Sequence, residues 1–254
     1  ERASRAAHLQ LLMELSKEGD LAVLLARRFE AIAESGSSSL PEEEVAAHFV
    51  QLSDGLAHIH AQRVLHRDLK PENVLCFDGG RRLKICDFGV AKCLGSSLEL
   101  ARTTLGSPVY MAPELFQGDP YGYKADVWSL GVLLYKMATN TYPFTAQALP
   151  ELASKVKTGA FAPLSSAYSA GLHHLAAIML QFHPSDRAGM HTVNRAARVL
   201  AHHATATEAS APSPSLIPRP RPIVTSPRTS RSISSAAPSP LHLADSPDMA
   251  TGSS

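Results

Sequence analysis

Residues 66–73 read His66-Arg67-Asp68-Leu69-Lys70-Pro71-Glu72-Asn73, and Asp87-Phe88-Gly89 begins 14 residues after Asn73. The first block sets a carboxylate able to accept a proton two residues from a lysine cation. Asn73 and Asp87 add hard oxygen donors, the kind that suits Mg²⁺, which is usually bound together with substrate phosphates. Lys70 supplies a compact point charge for an anionic group. A competing reading takes these residues as buried ion pairs and turn residues of an unrelated fold. Packing alone, however, gives no reason to crowd so many polar side chains into one short loop.

Two further blocks follow in order, Ala112-Pro113-Glu114 and Asp126-Val127-Trp128-Ser129-Leu130-Gly131. The ordered set resembles the signature of eukaryotic protein kinases. The run Lys70-Pro71-Glu72-Asn73 is similar to the serine/threonine version rather than the tyrosine version. Thr141-Tyr142-Pro143-Phe144, Lys157-Thr158-Gly159-Ala160-Phe161 and the text from Leu164 to Leu172 are similar to the NimA-related kinases. The resemblance spans roughly residues 9–201, read as hinge plus C-lobe.

The resemblance implies transfer of the ATP γ-phosphate to Ser/Thr hydroxyls of protein substrates, with Mg²⁺. Such chemistry rests on positioning and charge neutralisation more than on covalent help. Asp68 would orient the hydroxyl and accept its proton, and Lys70 would reach the transferring phosphoryl. Asn73 and Asp87 would hold Mg²⁺. Leu11 to Ser16 would form the hinge, with Met13 as gatekeeper and the backbone of Glu14 and Ser16 on adenine. Asp20 would lie near the ribose and Leu75 under the adenine ring. Glu114 and Arg187 would make a buried salt bridge, and Asp126 would brace the catalytic loop. Arg67 implies a loop ordered by phosphorylation, with Thr103 as the expected phosphosite and Ser107 in contact with Asp68 and Lys70.

The sequence departs from that family at its start. It has no Gly-rich loop, no V-A-I-K-like strand lysine and no following helix glutamate. The Lys–Glu and Asp–Mg²⁺ contacts are both needed for transfer in this class. The chain by itself is therefore expected to bind ATP poorly and turn over little. It lacks an initiating Met and is read as a fragment whose N-lobe is largely absent. A second reading stays open, a truncated kinase relative acting as a non-catalytic scaffold or binding module.

The elements that must position these residues are mostly helical, so the expected fold is protein-kinase-like, α+β, with a mainly α-helical C-lobe and a small β component. Leu21, Leu24, Leu25, Phe29 and Ile32 give helical spacing over 21–34. Pro41 and Glu42-Glu43-Glu44 mark a helix start, and Val45, Phe49, Leu52, Leu56 and Ile59 carry it to about Gln62. Strands are expected at Val74–Phe77 and Leu83–Cys86 around the turn Asp78-Gly79-Gly80. The run from Ala125 to Thr139 is apolar almost all round, as in a buried helix. Further helices are expected near 149–158, 169–182 and 190–202.

Composition changes near residue 204. A kinase domain is expected over 1–203, and a disordered Ser/Pro-rich tail over 204–254. Ser213-Pro214, Ser226-Pro227, Ser239-Pro240 and Ser246-Pro247 suit proline-directed kinases, and Pro218-Arg219-Pro220-Arg221-Pro222 could serve a Pro-motif partner. The net charge of +1 gives no electrostatic reason to expect nucleic acid or a membrane surface as partner. No apolar run approaches the roughly 18 residues of a membrane helix. Cys76, Cys86 and Cys93 lack disulfide or zinc spacing and fit a reducing compartment, so a cytoplasmic site is expected, with nuclear or cytoskeletal association open. The histidine pairs, among them His58 and His60, are expected on helix surfaces.

Overall fold

The computed structural model describes residues 12–88 and 108–209, with no side chains from 205 on. Leu11, Cys93, Thr103, Thr104, Ser107 and the Ser/Pro-rich tail from 210 lie outside the described residues.

Helix α1 spans Leu21–Glu34 and begins where Asp20 accepts a hydrogen bond from the Val23 amide. Leu21, Leu25 and Phe29 fall one turn apart, so they share the buried face. Helix α2, Glu42–Ala61, carries three glutamates in its first turn, where they complement the helix dipole. Its stripe of Val45, Phe49, Leu52, Leu56 and Ile59 is buried.

Strands β1 (Val74–Phe77) and β2 (Arg82–Ile85) form an antiparallel hairpin with Val74 opposite Ile85 and Phe77 opposite Arg82. Asp78, Gly79 and Gly80 all have positive φ, which makes the turn tight. The Glu18 carboxylate accepts the Gly79 and Gly80 amides at 2.8 Å each and locks that turn onto the segment before α1. The second strand lies one residue earlier than expected, because the register ends at Ile85. Cys86 nevertheless donates its amide to the Asn73 carbonyl at 3.0 Å.

Past the described gap, a single turn α3 (Pro113–Phe116) precedes α4 (Tyr123–Thr139), the central helix. Almost every residue of α4 is buried, as its sequence predicts. Gly131 permits close approach of the next layer, since a Cβ there would meet Met179 Cβ at 2.9 Å. Asn140 ends α4 in the left-handed conformation, φ 56°. Helix α5 is Leu149–Thr158, α6 is Ala170–Met179 and α7 is Met190–Ala209. The core is continuous across these helices and the hairpin.

Two boundaries differ from expectation. Helix α6 stops before residue 182: the Ile178 carbonyl, which a helix continuing to 182 would need, accepts the Ala188 amide at 2.9 Å, and the Gln181 and Phe182 carbonyls accept Arg187 Nε and Nη2 at 3.1 and 3.2 Å. Helix α7 runs on to Ala209 rather than ending at 202.

Arg187 is also the partner of Glu114. Its Nη1 and Nη2 donate to Oε1 and Oε2 at 2.9 Å each, with the arginine side chain fully buried. Nη1 donates as well to the Lys124 carbonyl at 2.6 Å, and the guanidinium lies 5.0 Å from the Trp128 ring centre. The expected buried pair is thus present, and it ties α3, the start of α4 and the α6–α7 connection together. Arg187→Ala should lower unfolding free energy by about 3–5 kcal/mol, because it leaves Glu114 buried and uncompensated. Urea titration followed by Trp128 fluorescence measures this.

Candidate active site

The loop of residues 66–73 is held from behind by one carboxylate. Asp126 sits in the first turn of α4 and is fully buried. Its Oδ2 accepts the His66 amide and its Oδ1 the Arg67 amide, both at 2.9 Å. The Tyr121 hydroxyl donates to Oδ1 at 2.7 Å, and His60 Nε2 lies 2.8 Å from Oδ2. Burial pushes the Asp126 carboxyl up, but the bonds from His60, the two amides and Tyr121 outweigh it and hold the group below its ordinary value. Arg67 takes φ 70°, a conformation that L-residues rarely adopt.

His66 reaches the other way. Its Nε2 donates to the Cys86 carbonyl at 3.0 Å, and its Nδ1 accepts the Asp68 amide at 3.3 Å. The imidazole therefore links the loop to the residue preceding Asp87. Its ring also meets Phe88 edge-on, with centroids 5.9 Å apart.

Three of the expected site residues are brought together. Asp68 Oδ2 is 3.1 Å from Lys70 Nζ and 3.1 Å from Asn73 Nδ2. Asn73 Nδ2 also donates to the Asp68 carbonyl at 2.7 Å. With both amide hydrogens committed to Asp68, Asn73 keeps its Oδ1 as an acceptor. The Asp68 and Lys70 side chains remain about one quarter exposed, so the cluster opens to solvent. Asp87 follows Cys86 with φ 57° and an exposed side chain. The Cys86–Asn73 backbone bond places Asn73 and Asp87 at the same end of the hairpin. Their oxygens match the preference of Mg²⁺, which takes one or two protein donors alongside phosphate oxygens.

The remaining expected residues line a second strip. Ser16 Oγ donates to the carbonyls of Cys76 and Gly19 at 2.6 and 2.9 Å, fastening the segment before α1 to β1. Asp20 forms an isolated antiparallel bridge with the half-buried Leu75, while its side chain caps α1. The Glu14 carboxylate pairs with Lys84 and is held below its usual range by that bond. Met13 is half exposed, and Leu12 and Leu15 are largely so.

Burial raises both described thiols, Cys76 to about 11, and the neighbouring Asp87 charge raises Cys86 further. Those are the properties of packed rather than nucleophilic cysteines. His60 overturns the surface reading of the histidine pairs. Its side chain is 9% exposed and lies against Asp126. The signal was in the sequence, because His60 continues the buried Leu52–Leu56 row by one more helical turn. Tyr121 and Glu18 carried no comparable periodic signal. Beside Pro71 and Glu72, a cleft of about 510 Å³ opens between α1 and α4, lined also by Phe29, Lys136 and Tyr142. Among the described residues no helix is long and apolar enough to cross a membrane.

Residues 2–202 match the protein kinase domain family, and the chain belongs to the protein kinase family. It is 38% identical over 185 residues to human serine/threonine-protein kinase Nek5, covering 73% of this chain and 25% of that protein. Against mouse serine/threonine-protein kinase Nek4 it is 34% identical over 202 residues, 80% of this chain and 24% of the relative. Mouse serine/threonine-protein kinase Nek1 matches at 34% over 185 residues, 73% and 15% respectively. The expected likeness to NimA-related kinases is borne out. The chain spans a quarter or less of the length of these three relatives.

Asp126→Asn should lower stability at neutral pH by on the order of 3 kcal/mol, since charge-assisted bonds are lost from a buried site. A depressed carboxyl stabilises the fold above its ordinary pKa of about 3.9 and loses that effect as pH falls through the lower folded value. The gap between wild type and variant should therefore be full at pH 5 and shrink below about pH 4. Denaturant melts across that range check both sign and window.

Proposed function

We propose that this chain carries the catalytic loop of a serine/threonine protein kinase that moves the γ-phosphate of ATP to a Ser or Thr hydroxyl of a protein. The observation that carries this reading is the Asp68 carboxylate, 3.1 Å from both Lys70 Nζ and Asn73 Nδ2 and open to solvent. In this reading the hydroxyl oxygen attacks the γ-phosphorus while its proton passes to Asp68. The bond to the β-phosphate oxygen breaks, and ADP leaves with the electron pair. Lys70 stays protonated and offsets charge on the moving phosphoryl.

Mg²⁺, when bound, neutralises phosphate charge, and Asn73 and Asp87 are the residues that would hold it. For the nucleotide, the reading assigns the Glu14 and Ser16 backbone to adenine, Leu75 to its lower face and Asp20 to the ribose. The Asp20–Leu75 bridge and the Ser16–Cys76 bond support this by setting those residues along one strip. The cleft at Pro71 and Glu72 supports a polypeptide substrate, because it opens beside the same loop. The free thiols Cys76 and Cys86 support a cytoplasmic setting, with nuclear or cytoskeletal association compatible. Proline-directed kinases and Pro-motif partners on the tail rest on sequence alone.

In the gene's full product, Asp68→Asn should lower phosphate transfer to protein substrates by about 10²–10⁴-fold while the melting transition is retained. Undiminished transfer in a folded variant removes Asp68 from this role. Calorimetric titration of the 254-residue chain with Mg-ATP addresses the scaffold reading. Micromolar binding counts against a non-catalytic module, and absent binding together with partner capture by the helical lobe favours one.

A further inference from the structure

Helices α6 and α7 enclose a groove of about 550 Å³ that shares no lining residue with the catalytic loop. His191, Arg195, Val199 and His203 recur every four residues on α7, so they form one ridge along it. At about 1.5 Å per residue that ridge is roughly 18 Å long. Ala196 and Leu200 form the floor, and Ala170, Gly171 and His174 of α6 form the far wall. Gly171 sets the width, since a Cβ there would come within 3.3 Å of Leu200 Cδ1.

The groove pairs apolar surface with one sign of charge. Val199 is 52% exposed, a large apolar side chain left facing water. Among the described residues no carboxylate lines the groove, and its titratable residues are Arg195 and three histidines. Two acids of α2 are already engaged elsewhere. Glu42 accepts the Ser169 amide at 2.6 Å and its hydroxyl, and Asp54 pairs with Arg198 at 2.7 Å. Among the described residues no carboxylate pairs with Arg195. An arginine without a counter-charge beside an apolar trough complements a chain that brings carboxylates and an apolar anchor. At about 3.3 Å per residue, an extended segment of five or six residues fits the ridge.

We infer that the α6–α7 groove docks a short acidic segment of a partner protein, with Arg195 holding a carboxylate and Val199 and Leu200 packing an apolar side chain. The site lies apart from the catalytic loop, so an occupant leaves that loop open.

The test is an array of hexapeptides combining Asp or Glu with Leu, Ile or Phe, each paired with its Asn/Gln counterpart. Binding of the 254-residue chain is read by fluorescence anisotropy. Acidic members should bind at least about tenfold tighter than their amide counterparts, and added salt should weaken them. Arg195→Glu and Val199→Asp, both at exposed positions, should each weaken that binding by about tenfold. Arg195→Gln, the milder variant, guards against misfolding, and Lys157→Glu on α5 should change nothing. Acidic peptides bound no better than their amide counterparts would overturn the proposal, as would binding indifferent to Arg195. So would sedimentation showing self-association that Val199→Asp abolishes, which makes the groove a face between two copies.

Discussion

The Asp126 carboxylate takes hydrogen bonds from the His66 and Arg67 amides, the Tyr121 hydroxyl and His60, and it does so fully buried. A buried anion without partners is costly, so the site exists only if all these donors converge. Their convergence joins the end of α2, the start of the 66–73 loop and the run before α4. It also holds Arg67 at φ 70°, a conformation that the surroundings must enforce. Asp68 is the next residue. The placement of the proposed general base therefore depends on an acid that takes no part in the chemistry.

Helix α4 carries a second ionic centre close by. Two residues beyond Asp126, Trp128 lies under the Arg187 guanidinium, and the Lys124 carbonyl takes one of its hydrogens. Arg187 in turn closes on Glu114. One helix thus supports the 66–73 loop from one part of its first turns and the α6–α7 connection from another. A helix with two such duties faces protein on every side, which explains its nearly uniform apolar character. It also explains Gly131, where only a missing side chain admits Met179 so closely.

Most of the architecture was legible because it rests on periodicity. The stripes of α1 and α2 and the all-round burial of α4 follow directly from the spacing of apolar residues. The clustering of Asp68, Lys70 and Asn73 was legible for another reason, their closeness in one loop. The rest was hidden where a tertiary contact overrides local preference. Helix α6 ends early because the Ala188 amide, ten residues later, takes the Ile178 carbonyl that a longer helix would use. Strand β2 shifts by one residue because the hairpin register ends at Ile85. His60 looks like a surface histidine until the carboxylate it meets is known, and that carboxylate lies 66 residues away. Glu18 is similar, an ordinary exposed acid by composition that locks the hairpin turn through two amides.

The oxygen donors and the base are held by different means. Asp68 depends on the ionic centre at Asp126, which acts through the backbone of His66 and Arg67. Asn73 and Asp87 depend on the hairpin, because the Cys86 amide closes on the Asn73 carbonyl. His66 is the link between the two supports. Its ring accepts from the Asp68 amide through Nδ1 and donates to the Cys86 carbonyl through Nε2. A neutral imidazole with its hydrogen on Nε2 satisfies both bonds at once, and no other protonation state does. The histidine thus couples the residue proposed to take the proton to the strand end that would hold the metal, and it does so without charge of its own. That explains its complete burial beside Asp68 and Lys70, whose side chains reach solvent.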